Sequence, residues 1–221
     1  MKFDDKMYVH LEKHNVSDVD VARAAWVSNY GSEAREKDTE RVKGLINFLY
    51  SNRHMSPFEH GQMTFFIEVP IFVAREWMRH RTWSYNEWSA RYSDLEAHFY
   101  VPSENRPLVQ VGKVGAYTFV EGSEKQKSET HFWVKVAYRM CWRAYRIMRG
   151  LGVAAEVARI VLPVGIYTKF YATVNPRNLM AFLDLRTDPT ALEEIRDAAV
   201  QVEQIFAELM PLTYEAYRAG R

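Results

Sequence analysis

Two stretches in which apolar and polar positions alternate predict the central strands of the fold. The first covers residues 63–69 and carries apolar side chains on both faces, which is typical of a strand buried in the middle of a sheet. The second covers residues 166–174 and leads directly into Asn175 and Pro176. Because Asn175 can cap a helix and Pro176 can occupy its first position, the sequence predicts that a helix begins there.

Apolar residues at intervals of three and four predict helices elsewhere in the chain. Ser17 or Asp18 can cap the first of them, and a second is predicted from about Glu33. A third is predicted to open at Pro70 and to end near Arg79. The N-terminal half therefore combines helices with the first central strand.

Two longer helices are predicted in the C-terminal half of the chain. One ends at about Met148, before Gly150 or Gly152, and the other opens at Asp188-Pro189. Basic residues recur along the first of these helices, so one face is a solvated surface, an oligomer contact or a docking surface for acidic cofactors. Residues 105–130 contain scattered glycines and are predicted as a mobile surface loop. Together these elements indicate an α+β fold.

Composition limits the function more than it identifies it. The chain has 221 residues with a formal charge of +1, which suits one domain and argues against a protein that follows a nucleic-acid backbone. No apolar run approaches bilayer length, and residues 1–6 lack the apolar core of a secretion signal, so we expect a cytoplasmic protein. The single cysteine, Cys141, excludes an intramolecular disulfide and is more simply explained as a packing residue than as a nucleophile.

Residues 79–92 concentrate the groups that bind anions. Three arginines, one histidine and several hydroxyls lie within this segment, and arginine matches phosphate or carboxylate oxygens two at a time. A charge run of this kind is usually a solvated surface. Here, however, the same segment also contains two tryptophans and two tyrosines. This mixture favours a flat ligand that carries phosphate.

A different group of polar residues, just before the first predicted strand, could form a metal site. His54, Glu59 and His60 could be ligands, but Ser56–Glu59 is better explained as a capping box that opens a short helical turn. We therefore expect no bound metal. Helix N-termini offer free amide donors, so this turn and the helix start at Asn175 are places where an anionic cofactor could rest.

The Arg79-His80-Arg81 segment, followed after seven residues by Ser89, closely resembles the signature of the flavin-dependent thymidylate synthases. The resemblance runs from about Ser28 to about Tyr217. It is clear in three further segments, which are residues 54–60, 156–163 and 175–180. We expect a single α+β domain with a central, mostly antiparallel sheet flanked by long helices.

The resemblance implies the ligands and the residues that contact them. It implies that FAD is bound by matching hydroxyl, carboxylate, amide and cationic positions, which are Ser28, Ser56, Glu59, Arg79, His80, Arg81, Glu87, Asn175 and Arg177. It implies that dUMP is bound by a second group of positions, which are Glu76, Arg79, Glu87, Ser89, Ala90, Arg91, Arg159 and Arg186. Arg186 would face the uracil and favour the ring deprotonated at N3. Ser89 would act as a nucleophile or, as we favour, as a hydrogen-bonding group at the phosphate or pyrimidine.

The implied reaction transfers a methylene group from methylenetetrahydrofolate to C5 of dUMP, with FAD carrying the hydride that NADPH supplies. Members of this family are homotetramers with shared sites. Three positions depart from the family pattern: Ala181 replaces a frequent amide, Thr190 an occasional histidine and Glu76 a common glutamine. Because Glu76 brings a carboxylate near an anionic ligand, it is expected to pair with Arg75 or Arg79, or to point away.

Two other functions are compatible with the same residues. One is an RNA-binding or nucleotide-sensing module that stacks bases on the tryptophans of residues 75–92. The other is an enzyme that acts on a phosphorylated substrate without flavin. The near-neutral charge weakens the first of these.

Overall fold

The computed structural model describes residues 1–30, 39–113 and 115–220, without the side chains of Asn29 and Tyr30. The described strands are Lys2–Asp4 (β1), Tyr8–His14 (β2), Met63–Pro70 (β3), Ser84–Glu87 (β4), His98–Tyr100 (β5), Val109–Lys113 (β6), Ala116–Val120 (β7) and Tyr167–Val174 (β8). The described helices are Asp18–Tyr30 (α1), Thr39–Ser51 (α2), Ile71–Trp77 (α3), Glu124–Gly150 (α4), Ala155–Ala158 (α5), Pro176–Arg186 (α6), Glu193–Leu209 (α7) and Pro211–Ala219 (α8). Two short 3-10 helices lie at Ser56–Glu59 and Arg159–Val161. The predicted helix start at Glu33 lies outside the described residues.

The central sheet contains both strands that the alternating pattern predicts. Its strand order is β2-β3-β8-β4. The hydroxyl oxygens of Thr64 and Thr173 lie 2.9 Å apart and join the start of β3 to the end of β8, as neighbouring antiparallel strands require. The other described strands form a parallel pair, β1-β5, and an antiparallel hairpin, β6-β7. The predicted α+β class with a mostly antiparallel central sheet is confirmed.

Packing divides the chain into two compact units, of which the first consists of Met1–Met7, Glu68–Arg75 and Glu87–Lys169. A buried histidine, His98, fixes its N-terminal strand. The His98 ring stacks on Tyr167 with 3.9 Å between centroids, and its nitrogens lie 3.0 Å from Glu68 and 3.1 Å from Asp4. Helix α4 packs so closely in this unit that a Cβ atom on Gly165 would lie 2.0 Å from the Tyr138 hydroxyl.

The second unit consists of Tyr8–Ile67, Glu76–Asn86 and Phe170–Arg221. Its core is aromatic, and the large, fully buried side chains include Phe58, Phe65, Trp77, Phe170, Phe182, Phe206 and Tyr217. Helices α1 and α2 pack together, α8 packs against α2 and α7, and α6 packs against α7. Burial of these rings contributes to the hydrophobic stabilisation of this unit.

The stretch 105–130, which the sequence predicts as a loop, contains regular structure. β6 and β7 pair from Val109 opposite Val120 to Lys113 opposite Ala116, and α4 already begins at Glu124. Gly112 has a φ of 100°, a conformation that favours glycine at a hairpin turn. The loop prediction is therefore wrong for residues 109–113, 116–120 and 124–130, because the glycines belong to a hairpin and the charged run after them begins a helix.

The predicted helix ends agree with the structure in part. Asn175 caps α6, since its Oδ1 accepts a hydrogen bond of 2.9 Å from the Asn178 amide, and Pro176 is the first helical residue. Helix α4 ends at Gly150, as predicted. The last predicted start is wrong, because α7 begins at Glu193 and Asp188 instead accepts a hydrogen bond from the Thr190 amide in a local turn. Within the described part of the chain, no helix has the length and apolar character that a membrane span requires.

Candidate active site

The turn that follows α3 carries the anion-binding residues and is fixed by backbone hydrogen bonds. The His80 amide donates to the Trp77 carbonyl over 3.0 Å, and the Trp83 amide donates to the His80 carbonyl over 3.2 Å. The Tyr85 hydroxyl lies 3.0 Å and 2.9 Å from the same two carbonyl oxygens. The backbone of the turn is therefore held at several points close to His80.

The turn rests on the aromatic core of the second unit. Trp77 and Trp83 are buried, and both rings lie against Phe182, with 4.8 Å and 5.0 Å between centroids. The edge of the His80 ring also contacts Phe182, at 4.8 Å. Arg79 and Arg81, in contrast, are exposed, and no acceptor among the described residues pairs with either guanidinium. A rigid turn thus presents two free cations.

Arg186 lies near the C-terminal end of α6 and contacts both His80 and Glu76. Its Nε donates to His80 Nε2 over 2.9 Å, its Nη1 donates to Glu76 Oε2 over 3.1 Å, and its Nη2 donates to the Glu76 carbonyl over 3.0 Å. Only 16% of the Arg186 side chain is exposed. These three residues form a cluster that we call the Arg186 clamp.

The Arg186 clamp determines the charge state of His80. Burial is the larger cause and the positive charge of Arg186 the smaller one, and together they lower the pKa of His80 to about 4, against an opposing effect of Glu76. Burial also raises the pKa of Tyr85, whose hydroxyl therefore remains a donor to the backbone. His80 is a neutral imidazole at physiological pH.

Glu76 pairs with a different partner from the two that its sequence neighbourhood suggests. Arg75 and Arg79 are exposed, whereas the Glu76 carboxylate binds Arg186. The prediction that Glu76 is paired is therefore confirmed, but Arg75 and Arg79, the two suggested partners, are wrong. The partner lies 110 positions further along the chain, where nothing in the local sequence could identify it.

Five of the residues expected to contact FAD lie on three elements of the second unit that pack together. These elements are the C-terminal part of α1 with Ser28, the 3-10 helix with Ser56 and Glu59, and the start of α6 with Asn175 and Arg177. Glu59 forms an ion pair with Arg177. The capping box predicted at Ser56 is wrong, since Met55 occupies the cap position and no side chain caps this helix.

The first unit holds a cavity of about 350 Å³ that is lined by several residues expected to contact dUMP. Its polar wall contains Glu87 and Arg159, and its apolar wall contains Trp88 and aliphatic side chains. The full lining is Ile71, Glu87, Trp88, Ala90, Leu95, Arg159, Ile160, Leu162, Ile166, Tyr167 and Thr168. A small cavity with one flat wall and a few polar groups suits a small, planar, polar ligand.

Thr168 is a lining residue that the sequence did not single out. Its buried hydroxyl donates to Glu87 Oε1 over 2.6 Å and so orients this carboxylate. Trp88 is oriented in a similar way, because its amide donates to the Lys169 carbonyl and the Lys169 ammonium lies 5.3 Å from its ring centroid. Strand alternation placed Thr168 in β8 but gave no signal for its role.

The other phosphate-binding candidates lie on or beside this cavity. Arg159 is exposed and has no acceptor among the described residues. Arg91 pairs with Glu156 at 3.1 Å, and both side chains are about half exposed. The Ser89 hydroxyl accepts a hydrogen bond of 3.2 Å from the Arg91 amide in a tight turn. No base contacts this hydroxyl among the described residues, which favours the hydrogen-bonding interpretation of Ser89 over the nucleophilic one.

The structure thus brings the expected site residues together in two groups, one in each unit. In the second unit Glu76, His80 and Arg186 are in direct contact. In the first unit Glu87, Ala90 and Arg159 share the cavity. Cys141 is half-buried on α4 and does not line this cavity. Across the described ranges, no three His, Cys, Asp or Glu side chains are grouped so that they could hold a metal ion.

Comparisons with known proteins agree with this fold. The family described as thymidylate synthase complementing protein matches residues 10–212. A flavin-dependent thymidylate synthase of Streptomyces avermitilis is 50% identical over 229 aligned residues, which cover 99% of this chain and 93% of that protein. A protein of the same name from Tropheryma whipplei is 43% identical over 99% of this chain and 95% of its own length.

Solved structures give the same result. The crystal structure of PolB from Streptomyces cacaoi, a UMP/dUMP methylase bound with 5-Br dUMP, has a TM-score of 0.93 and 42% sequence identity, and covers 99% of this chain and 97% of that one. The same enzyme bound with 5-Br UMP gives a TM-score of 0.91. Since the family model and relatives of this identity span nearly the whole sequence, the chain belongs to the flavin-dependent thymidylate synthase family.

Proposed function

We propose that this protein methylates dUMP to dTMP in a flavin-dependent reaction. The observation that carries the proposal is the rigid Arg79–Arg81 turn with Arg186 held against it, in a chain half identical to a flavin-dependent thymidylate synthase. Cationic donors on a rigid turn bind phosphorylated ligands with little loss of conformational entropy.

The flavin in this proposal is FAD, and the donor groups of the second unit fit such a ligand. Arg79 and Arg81 offer free guanidiniums to the diphosphate, and the N-terminus of α6 adds the Arg177 backbone amide. The proposed contacts are Ser28, Ser56, Glu59, Arg79, His80, Arg81, Glu87, Asn175 and Arg177. FAD, once bound, would supply the hydride that reduces the transferred carbon.

The dUMP phosphate is proposed to bind at the cavity of the first unit. Arg159 is available there, and the exposed pair between Arg91 and Glu156 contributes about 0–1 kcal/mol, so a phosphate can displace Glu156. The Ser89 hydroxyl and the Ala90 backbone complete this subsite. The remaining proposed contacts to dUMP are Glu76, Arg79, Glu87 and Arg186, of which Arg186 faces the uracil and favours its N3-deprotonated form.

We propose methylenetetrahydrofolate as the carbon donor and NADPH as the reductant. Both are co-substrates in this proposal, and the reaction takes place in the cytoplasm. The methylene carbon leaves tetrahydrofolate and bonds to C5 of the pyrimidine, the C5 hydrogen is released to water as a proton, and a hydride from NADPH, carried by FAD, reduces the transferred carbon to methyl. The protein's contribution is to hold the reacting rings in contact, which can lower the barrier by about 7–11 kcal/mol when the geometry is right.

We also propose that the protein is a homotetramer with shared active sites. Helix α4 supports this, because large apolar side chains remain exposed along it. They are Trp133, Met140 and Ile147, with exposed fractions of 60%, 68% and 53%. Exposed apolar side chains repeated along one helix are typical of a surface that contacts another protein chain.

Two measurements test the proposed function. The purified protein should absorb as a flavoprotein and lose this absorbance when NADPH is added anaerobically. With dUMP labelled with tritium at C5, methylenetetrahydrofolate, FAD and NADPH, it should release tritium to water. The reaction without folate is the control and should release none. Because PolB is a UMP/dUMP methylase, UMP belongs in the same assay as a second substrate.

The rival functions give different results in the same experiments. A colourless protein whose RNA affinity falls steeply with salt would favour the nucleic-acid module. Turnover of a phosphorylated substrate without flavin absorbance would favour the flavin-free enzyme. Absence of tritium release with all four components present would reject the proposed synthase activity.

A further inference from the structure

We infer that Glu76 and His80 are positioning residues that hold Arg186 with its Nη atoms available to donate to the pyrimidine. The inference rests on the proposed function for its ligand, and on the geometry of the Arg186 clamp for everything else. His80 would therefore act on the substrate through Arg186, as well as having the cofactor contact expected of its position.

Arg186 has more donor groups than the described residues satisfy. A guanidinium has five N–H groups, and three of them are used: Nε by His80 Nε2, one on Nη1 by Glu76 Oε2 and one on Nη2 by the Glu76 carbonyl. The other two, one on each Nη, have no acceptor among the described residues. Since the side chain is only 16% exposed, these two groups lack most of their contact with water. An acceptor on the ligand, such as N3 or O2 of a deprotonated uracil, would satisfy either of them.

The contacts also fix the orientation of the guanidinium. One carboxylate alone would leave Arg186 free to rotate about that pair, as a surface ion pair does. The His80 contact to Nε and the carbonyl contact to Nη2 lie at other atoms of the same plane, so rotation would break at least one of them. His80 is itself held, since its amide and carbonyl hydrogen bond within the turn and its ring contacts Phe182.

The direction of the hydrogen bond determines the tautomer of His80. Arginine is always a donor, so Nε2 must accept and Nδ1 must carry the proton. The lowered pKa of His80, about 4, keeps this acceptor available throughout the physiological range. His80 therefore has two separate functions: Nε2 holds Arg186, and Nδ1–H remains available to a ligand oxygen.

Two substitutions of His80 separate these functions. His80→Gln places an amide near the position of Nε2 and keeps an acceptor for Arg186. His80→Asn places an amide near Nδ1 and loses that acceptor. For dUMP turnover, kcat/KM should fall about tenfold to hundredfold more in His80→Asn than in His80→Gln, since a hydrogen bond to a charged group is lost. FAD content should follow the opposite order.

The controls distinguish positioning from a general structural defect. His10→Asn, at an exposed position on β2, should leave kcat/KM and FAD content unchanged. Glu76→Gln keeps one acceptor and should retain more activity than Glu76→Ala. Equal losses in His80→Gln and His80→Asn, or a smaller loss in His80→Asn, would overturn the inference. A wild-type protein that releases no tritium would instead reject the proposed function.

A measurement on the resting protein tests the clamp without any turnover. In protein labelled with ¹⁵N-histidine, the His80 ring should have its proton on Nδ1 and an unprotonated Nε2. Arg186→Gln should change the Nε2 shift, because the charged donor is lost. A proton on Nε2 in the wild-type protein would overturn the inference whatever the activity assays give.

Discussion

At the scale of single residues, the protonation of His80 links the clamp to stability. His80 has a pKa of about 4 in the folded chain and an ordinary value of 6.5. Between these values the unfolded chain binds more protons than the folded one, so stability rises with pH across this window and is lost as pH falls from 6.5 to 4. Arg186 and Glu76 are the charged groups that face the ring.

We therefore predict that the free energy of unfolding decreases when the pH is lowered through this window, and that His80→Gln removes part of the decrease. After allowance for solvent screening of a half-exposed ring, the part due to His80 is about 1–2 kcal/mol. Urea unfolding of both proteins at several pH values between 7 and 4 measures it. An identical pH dependence in the variant would contradict the lowered pKa.

A second prediction at this scale concerns Arg159. Its guanidinium has no acceptor among the described residues and lies on the cavity with Glu87. Arg159→Gln should raise KM for dUMP about tenfold to hundredfold through loss of a charge-assisted contact to phosphate, with flavin absorbance unchanged. Lys125→Gln, at an exposed position on α4, is the charge-matched control. An unchanged KM in Arg159→Gln would remove this residue from the phosphate site.

Sequence reasoning succeeds at residues whose partners are close in the chain. Asn175 caps the helix that begins at the next residue, so its role follows from local chemistry alone. The partner of Glu76 and the Thr168 contact to Glu87 depend on the tertiary fold, because each joins side chains that are 81 or more positions apart. The resemblance pointed to Arg186 and Glu87 without indicating what orients them.

At the scale of elements, the residues at the start of α1 illustrate the same limit. Ser17 and Asp18 were both candidate caps for this helix. Ser17 Oγ accepts a weak hydrogen bond of 3.3 Å from the Asp20 amide, whereas Asp18 caps α8. Asp18 is buried, and its carboxylate accepts hydrogen bonds from the amides of Leu212 and Thr213 over 2.9 Å and 2.8 Å. The sequence therefore identifies Asp18 as a candidate cap but does not show that it caps α8.

Asp18→Ala should therefore destabilise the protein through α8 rather than through α1. Loss of a buried carboxylate that accepts from two amides and the Thr213 hydroxyl should cost about 2–3 kcal/mol of unfolding free energy. Asp20→Ala, in the same first turn of α1 but only half-buried, should cost less than about 1 kcal/mol. Hydrogen exchange should show that the α8 amides lose protection in Asp18→Ala. Equal costs in the two variants would contradict this assignment.

At the scale of the whole molecule, the hydrophobic pattern predicts more of the fold than the turns do. Alternation located β3 and β8 closely, since strands buried on both faces leave a strong signal. The β6–β7 hairpin was missed because its residues are largely exposed and its glycines also suit a loop. The start of α7 was misplaced because an Asp-Pro pair suits a turn as well as a cap.

Exposed residues on α4 are predicted to form a contact between subunits. Trp133, Ala137, Met140 and Ile147 are spaced by four, three and seven positions, so they lie on one side of the helix and form what we call the α4 apolar face. A charge placed within a buried interface is strongly unfavourable unless it is paired. Met140→Glu should therefore reduce the homotetramer to smaller species in sedimentation velocity.

The same substitution also tests whether subunits share their active sites. If they do, Met140→Glu should lose tritium release in parallel with tetramer content, and both should recover as the protein concentration is raised. Val200→Glu, which places the same charge at an exposed position on α7, is the matched control and should change neither quantity. A Met140→Glu protein that sediments as a monomer and still turns over dUMP at the wild-type rate would contradict shared sites. The Arg186 clamp, whose members all lie within one unit of one chain, would remain intact in that monomer.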